Sequence, residues 1–204
     1  SNELPWRESI ADVIVINADD NGRVDKNHLQ RVLEEHKDRP LKIGSFSAAS
    51  NVTGIGSDTR GIASLLHRYG ALSFWDFAAA GPYVQIEMNM ADDLEDGDFI
   101  YKDAVFLSPH KFIGGPGTPG ILIAKKALFQ NRVPSTPGGG TVDYVSQTEH
   151  VFSSDVVERE EAGTPSIIGS VRAGMVIQLK EAVGVDYIQK KEHGLIRRAI
   201  ETWG

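Results

Sequence analysis

Through the first two thirds of the chain, short apolar runs alternate with stretches of helical periodicity, and this restricts the fold more than any other feature. Residues 12–18 (DVIVINA) read as a buried strand, closed by the turn-forming Asp19-Asp20-Asn21-Gly22. Asp25 is placed to cap a helix whose Leu29, Val32 and Leu33 share one face. Residues 41–46 read as a second strand. Ser57 or Asp58 then opens a helix with Ile62, Leu65, Leu66 and Tyr69 at the i, i+3, i+4, i+7 positions, and Gly70 ends it. Residues 71–75, 103–107 and 120–124 supply three more strands. The expected fold is therefore α/β: an open, mostly parallel sheet with helices on both faces, a three-layer α/β/α sandwich. Residues 130–163 hold Pro134, Pro137 and a Gly138-Gly139-Gly140 run, which predicts loop-rich surface. Beyond Pro165 the pattern turns helical, over 167–183 and again from Asp186 to about Trp203.

Charge and cysteine usage remove several function classes. The net charge is -7 and no basic run exceeds two residues, which argues against nucleic acid as a partner, because phosphate backbones need a concentrated basic face. With no cysteine, the segment holds no disulfide, thiolate metal site or cysteine nucleophile. That suits a reducing, cytoplasmic setting. No apolar stretch approaches the length of a membrane-spanning helix, and residues 1–10 are too polar for a signal peptide. The six histidines show no paired metal-ligand spacing, so no metal is expected.

Chemistry-bearing residues collect directly after predicted strands. Ser50-Asn51 follows the second, Asp76 ends the third, and Ser108-Pro109-His110-Lys111 follows the fourth. Ligands of open parallel sheets bind outside the carboxyl ends of the strands, so the three clusters are expected to meet in one crevice. Singly, each has a plain reading: Asp76 caps a turn, His110 satisfies a hydrogen bond, Lys111 is a solvated charge and Asn51 forms a turn. The glycine-rich run 114–120 lacks the lysine of a P-loop and does not match GxGxxG.

Taken together the clusters resemble a known site. An Asp closing an apolar strand, then Ser-x-His-Lys with a glycine-rich turn, then Glu161-Ala162-Gly163-Thr164-Pro165, is similar to the class V aminotransferase and cysteine desulfurase family. These enzymes use pyridoxal 5'-phosphate (PLP), and the resemblance runs over nearly the whole chain. It implies that Lys111 is the Schiff-base lysine and proton shuttle, and that Asp76 faces the pyridine nitrogen and keeps it protonated. It further implies that Ser108 and His110 bind the phosphate, that Asn51 lies near the ring hydroxyl and that Ala78 packs on the ring. Gly163 and Thr164 would reach the phosphate of a second subunit, making the active site shared across a homodimer; the lesser alternative is that Thr164 simply starts the helix near Ser166. The substrate class implied is an amino acid, handled by transamination or by a lyase reaction such as desulfuration. A non-catalytic relative keeping the fold as a binding or interaction module is the alternative.

The sequence departs from the family in two respects. Desulfurase-like members commonly read Asp-Gly-Ala-Gln where this chain reads Asp76-Phe77-Ala78-Ala79, so the amide that would bond the ring oxygen is missing, and Pro109 stands in place of a glycine. The resemblance also makes residues 1–185 the core of a PLP-binding large domain that lacks the family's N-terminal phosphate loop and stacking histidine, with 186–204 a helix leading toward a small domain. On that reading the 204-residue piece by itself binds PLP poorly and is inactive.

Overall fold

A computed structural model of the chain describes residues 2–89 and 99–204. A short helix α1 (Leu4–Arg7) precedes α2 (Lys26–Glu35), β1 (Ile43–Ser47), α3 (Thr59–Arg68), β2 (Leu72–Asp76), β3 (Ala104–Leu107) and β4 (Ile121–Ala124). The four strands form one sheet in the order β1-β2-β3-β4. β1, β2 and β3 run parallel, with Ser47 opposite Asp76 and Asp76 opposite Phe106, while β4 returns antiparallel to β3. The expected α/β architecture with a mostly parallel sheet is what forms.

Both long N-terminal helices start on an aspartate, as the sequence indicates. The Asp25 carboxylate accepts the Asn27 and His28 N–H groups at 2.9 and 3.0 Å. Asp58 accepts the Gly61 N–H at 2.9 Å and also the Lys26 ammonium at 2.9 Å, so the starts of the two helices are tied together. Leu29 and Leu33 of α2 and Ile62 and Leu66 of α3 pack on the alternate strand residues Trp75, Val105 and Leu107. Trp75 sits at the centre of this core, fully buried, its indole N–H donating to Ser73 Oγ at 2.7 Å. Gly44 on β1 permits the close approach of α3, since a methyl there would overlap both Leu66 methyls. On the other face Phe74 and Phe106 lie edge-tilted with Trp6 against Phe74, and Leu122 is half exposed.

A buried polar group organises the region just before β3. Asp103 accepts the Ser73 N–H at 2.8 Å and pairs with His67 Nε2 at 2.9 Å. The other ring nitrogen of His67 lies 2.6 Å from the Phe99 carbonyl, and the ring stacks on Tyr101 at 4.0 Å. A buried carboxylate with this many partners avoids the cost of an unpaired charge.

One expectation needs correction. Residues 12–18 are not a strand: the segment makes only an isolated Ala18–Val24 bridge, and Val13, Ile14 and Val15 are exposed. An apolar run becomes a strand only beside a ladder partner, and among the described residues none lies next to it. It is instead held to α2 through Asn17, whose N–H donates to His28 Nδ1 at 3.1 Å and whose carbonyl accepts from Asp25 N–H at 3.0 Å. Residues 130–163 are loop-rich, as expected, and also contain a hairpin of β5 (Val142–Val145) and β6 (His150–Phe152) and a helical turn α4 (Val156–Glu160) capped by Asp155. The Pro and Gly residues before it mask this short alternation. The helical tail appears as expected, in α5 (Ile167–Val183) and α6 (Val185–Trp203), broken by Gly184 at φ 84°.

Trp75→Ala is expected to cost about 3–5 kcal/mol in urea unfolding, because nothing in the core can collapse into so large a void. Leu122→Ala, on the half-exposed face, is expected to change stability by no more than about 0.5 kcal/mol.

Candidate active site

Asp76 is the last residue of β2, and its neighbours on both sides continue past it. The Ala48 N–H donates to the Asp76 carbonyl at 2.9 Å, extending β1, and the Phe77 N–H donates to the Phe106 carbonyl at 2.9 Å, extending the contact with β3. The carboxyl ends of β1, β2 and β3 therefore lie side by side, and the segments carrying Asn51, Asp76 with Ala78, and Ser108 to Lys111 all leave from that one edge.

Each segment turns sharply as it leaves. After β1, Ser50 Oγ accepts the Val52 and Thr53 N–H groups at 3.2 and 3.1 Å, forming the turn that carries Asn51 to an exposed position. Ser57 Oγ donates to the Ser47 carbonyl at 2.7 Å and closes the base of that loop. After β2, Asp76 Oδ1 accepts the Ala78 N–H at 2.7 Å, which fixes the carboxylate plane and leaves Oδ2 without a hydrogen-bond partner among the described residues. After β3, Pro109–Lys111 form a single 3-10 turn in which Lys111 N–H donates to the Ser108 carbonyl at 3.0 Å. Pro109 and Phe112 are buried and anchor this turn, so that His110 and Lys111 point outward. Neither of those side chains has a hydrogen bond or ion pair among the described residues. They are not consumed by structure.

Gly115 holds the turn against the loop that follows. A methyl at this position would overlap the Pro109 carbonyl oxygen, so only glycine lets the backbone fold back over the 3-10 turn. Thr118, further along, is buried with its hydroxyl unpaired among the described residues.

Gly163 and Thr164 lie on a different turn. Gly163, at φ 77°, donates its N–H to the Gly139 carbonyl at 2.9 Å and so rests on the Gly138–Gly140 run; Thr164 is exposed. The helix beyond begins after Ser166, so Thr164 does not start it. Asn51, Asp76, Ala78, Ser108, His110 and Lys111 are thus brought to one sheet edge, while Gly163 and Thr164 are not part of that cluster within the chain. Among the described residues no group of three histidine, aspartate or glutamate side chains could hold a metal, and no helix is long and apolar enough to cross a membrane.

The model of the aminotransferase class-V family matches residues 1–202. The chain belongs to that family. Curated relatives include a probable cysteine desulfurase of Halalkalibacterium halodurans, 27% identical over 98% of this chain and 47% of the relative. A cysteine desulfurase of Dickeya dadantii is 31% identical over 99% of this chain and 47% of its own length. Among solved structures, the apo cysteine desulfurase of Thermococcus onnurineus superposes with a TM-score of 0.75 at 25% identity, covering 92% of this chain and 43% of that one. The chain therefore spans about half the length of these relatives.

Two side chains facing the site's loops were not anticipated from the sequence. Arg172 and Lys180, both on α5, donate to carbonyls of the segments that follow Lys111 and Asp76. Their positions on one stripe with buried Gly169, Ala173 and Val176 are the signal that could have found them.

Gly115→Ala is expected to lower stability by about 1–3 kcal/mol or more, the scale of an overpacked contact that only backbone movement relieves. Gly139→Ala, where the added methyl meets nothing within 4 Å, is the matched control and is expected to be near neutral in thermal unfolding.

Proposed function

We propose that this chain carries the cofactor-holding part of a PLP-dependent enzyme acting on an amino acid, by transamination or by a desulfurase-like lyase reaction. The observation that carries the reading is the delivery of Asp76 and the Ser108-Pro109-His110-Lys111 turn to one edge of adjacent parallel strands, in a chain of the class-V family. The donor set fits the group. An amine and a carboxylate oxygen with no partner among the described residues, a hydroxyl and an imidazole are what an aldehyde, a pyridine nitrogen and a phosphate dianion require. When bound, PLP supplies an electron sink for negative charge developing at a substrate α-carbon.

In this proposal Lys111 Nζ holds the cofactor covalently and, once released, moves the proton at the substrate carbon. The immobilised Asp76 carboxylate offers its free oxygen to the pyridine N–H, keeping a proton there. Ser108 and His110, half-buried and exposed at the start of the turn, donate to the phosphate, and Asn51 lies beside the ring hydroxyl. Ala78 leaves room for the ring where a larger side chain would fill it. Ala79 has no amide to give the ring oxygen, so Asn51 carries that contact alone. Gly163 and Thr164, exposed on their own turn, serve the phosphate of a second subunit in a cytoplasmic homodimer.

Borohydride reduction of the full-length protein with PLP, followed by peptide mass spectrometry, is expected to place the pyridoxyl adduct on Lys111. An adduct chiefly on Lys125 or Lys126 would refute the assignment. Asp76→Ala is expected to retain the adduct while slowing exchange of the substrate α-proton into deuterated water by orders of magnitude, because a neutral pyridine is a poor sink. Exchange at the wild-type rate in that variant would remove Asp76 from the site.

A further inference from the structure

Helix α5 lies across the segments that carry the candidate site, and its contacts with them fall on one stripe. Gly169 packs so closely on the loop after Lys111 that a methyl there would meet the Gly117 carbonyl at 3.1 Å and Pro119 at 3.1 Å. One turn on, Arg172 Nη1 donates to the Pro116 carbonyl at 2.8 Å. Val176 follows, placed so that a methyl on Gly114 would meet it at 3.4 Å. Lys180 ends the stripe, and it differs from the others in what it joins.

Lys180 Nζ donates to the Gly81 carbonyl at 2.8 Å and to the Val84 carbonyl at 2.6 Å, and it stands 5.7 Å from the centre of the Phe112 ring. Gly81 and Val84 close the helical turn that begins directly after Asp76, held by Gly81 N–H to the Phe77 carbonyl at 2.7 Å and Val84 N–H to the Ala80 carbonyl at 3.2 Å. The last carbonyls of such a turn have no partner of their own and need a donor. Phe112 is the residue after Lys111. The two segments also lie close together: a methyl on Gly81 would stand 3.3 Å from the Phe112 ring. A single ammonium thus spans the segment that follows Asp76 and the segment that follows Lys111. Burial pushes its pKa down, with Glu181 opposing, and two carbonyls and a ring face offset the cost of placing an ammonium there.

We propose that Lys180 is a positioning residue of the candidate site: by clamping the turn after Asp76 against Phe112, it sets the Asp76 carboxylate relative to the Lys111 amine. This rests on the cofactor reading above and deepens it. It acts through backbone carbonyls and a ring.

The test uses the full-length protein with limiting PLP, borohydride trapping and quantification of pyridoxyl peptides at Lys111 against exposed Lys190. A wild type with no preference for Lys111 refutes the cofactor reading itself. Given that preference, Lys180→Met is expected to lower the Lys111-to-Lys190 ratio by about fivefold or more, the scale of one lost charged hydrogen bond. Leu179→Ala, on the exposed face of the same helix, controls for general loosening of α5 and is expected to keep the wild-type ratio. Lys180→Gln keeps a donor for one carbonyl but removes the charge over the Phe112 ring, and is expected to shift the ratio the same way. It serves as the deciding variant should circular dichroism show Lys180→Met unfolded. An unchanged ratio in the folded variant, or an equal loss in Leu179→Ala, overturns the proposal.

Discussion

The parallel register of three strands is the constraint on which the remaining structure depends. Ser47, Asp76 and Phe106 stand in line across β1, β2 and β3, and the ladder continues one bond beyond Asp76 on each side. A slip of one residue would turn Trp75 and Val105 out of the core and swing Asp76 to the other face. Core packing and site geometry are thus enforced by the same register. The burial of Trp75 that stabilises the fold is also what holds Asp76 at the sheet edge.

Given that register, the departing segments decide what the edge can do. All three leave through short turns stabilised by local groups: the Ser50 hydroxyl, the Asp76 carboxylate, and the 3-10 turn anchored by Pro109 and Phe112. None of these turns uses the Lys111 amine or the His110 ring. Buried Pro109 and Phe112 flank the outward His110 and Lys111, so the backbone is anchored where those two side chains have no hydrogen bond or ion pair among the described residues. That combination suits a site that holds a ligand without spending its donors on the protein.

Much of this was legible in the sequence because it is local. Strand runs bounded by turn residues, aspartates before helices, and polar residues right after strands each have a short-range cause, and β1 to β4, α2, α3, α5 and α6 all follow it. What was not legible depends on partners distant in the chain. DVIVIN has the composition of a strand, but pairing is a property of two segments, and its neighbours here are a histidine ring and a helix start. The β5–β6 hairpin was hidden for the converse reason: its strands are short, their outward residues Tyr144, Val145 and Val151 are exposed, and Pro and Gly dominate the approach. Nor does periodicity along the chain show that β4 returns antiparallel, a matter of how its connection crosses the sheet edge.

Helix α5 shows most clearly where hydrophobic patterning stops being informative. The face that packs on the site loops is built from Gly169, Arg172, Ala173, Val176 and Lys180, small or charged residues for the most part. The face left exposed carries Ile168, Val171, Met175 and Leu179. Hydrophobicity alone does not single out the packed face. The reason lies in what that face meets. Loops rich in glycine and proline offer carbonyl oxygens and little side-chain surface, so a helix that rests on them needs small residues for approach and donors for the orphan oxygens, rather than aliphatic bulk. The same demand explains why Gly115 cannot carry a methyl and why Lys180 keeps its ammonium half-buried. Around this sheet edge the backbone itself is the surface to be packed, and polar donors placed at helical spacing are what pack it.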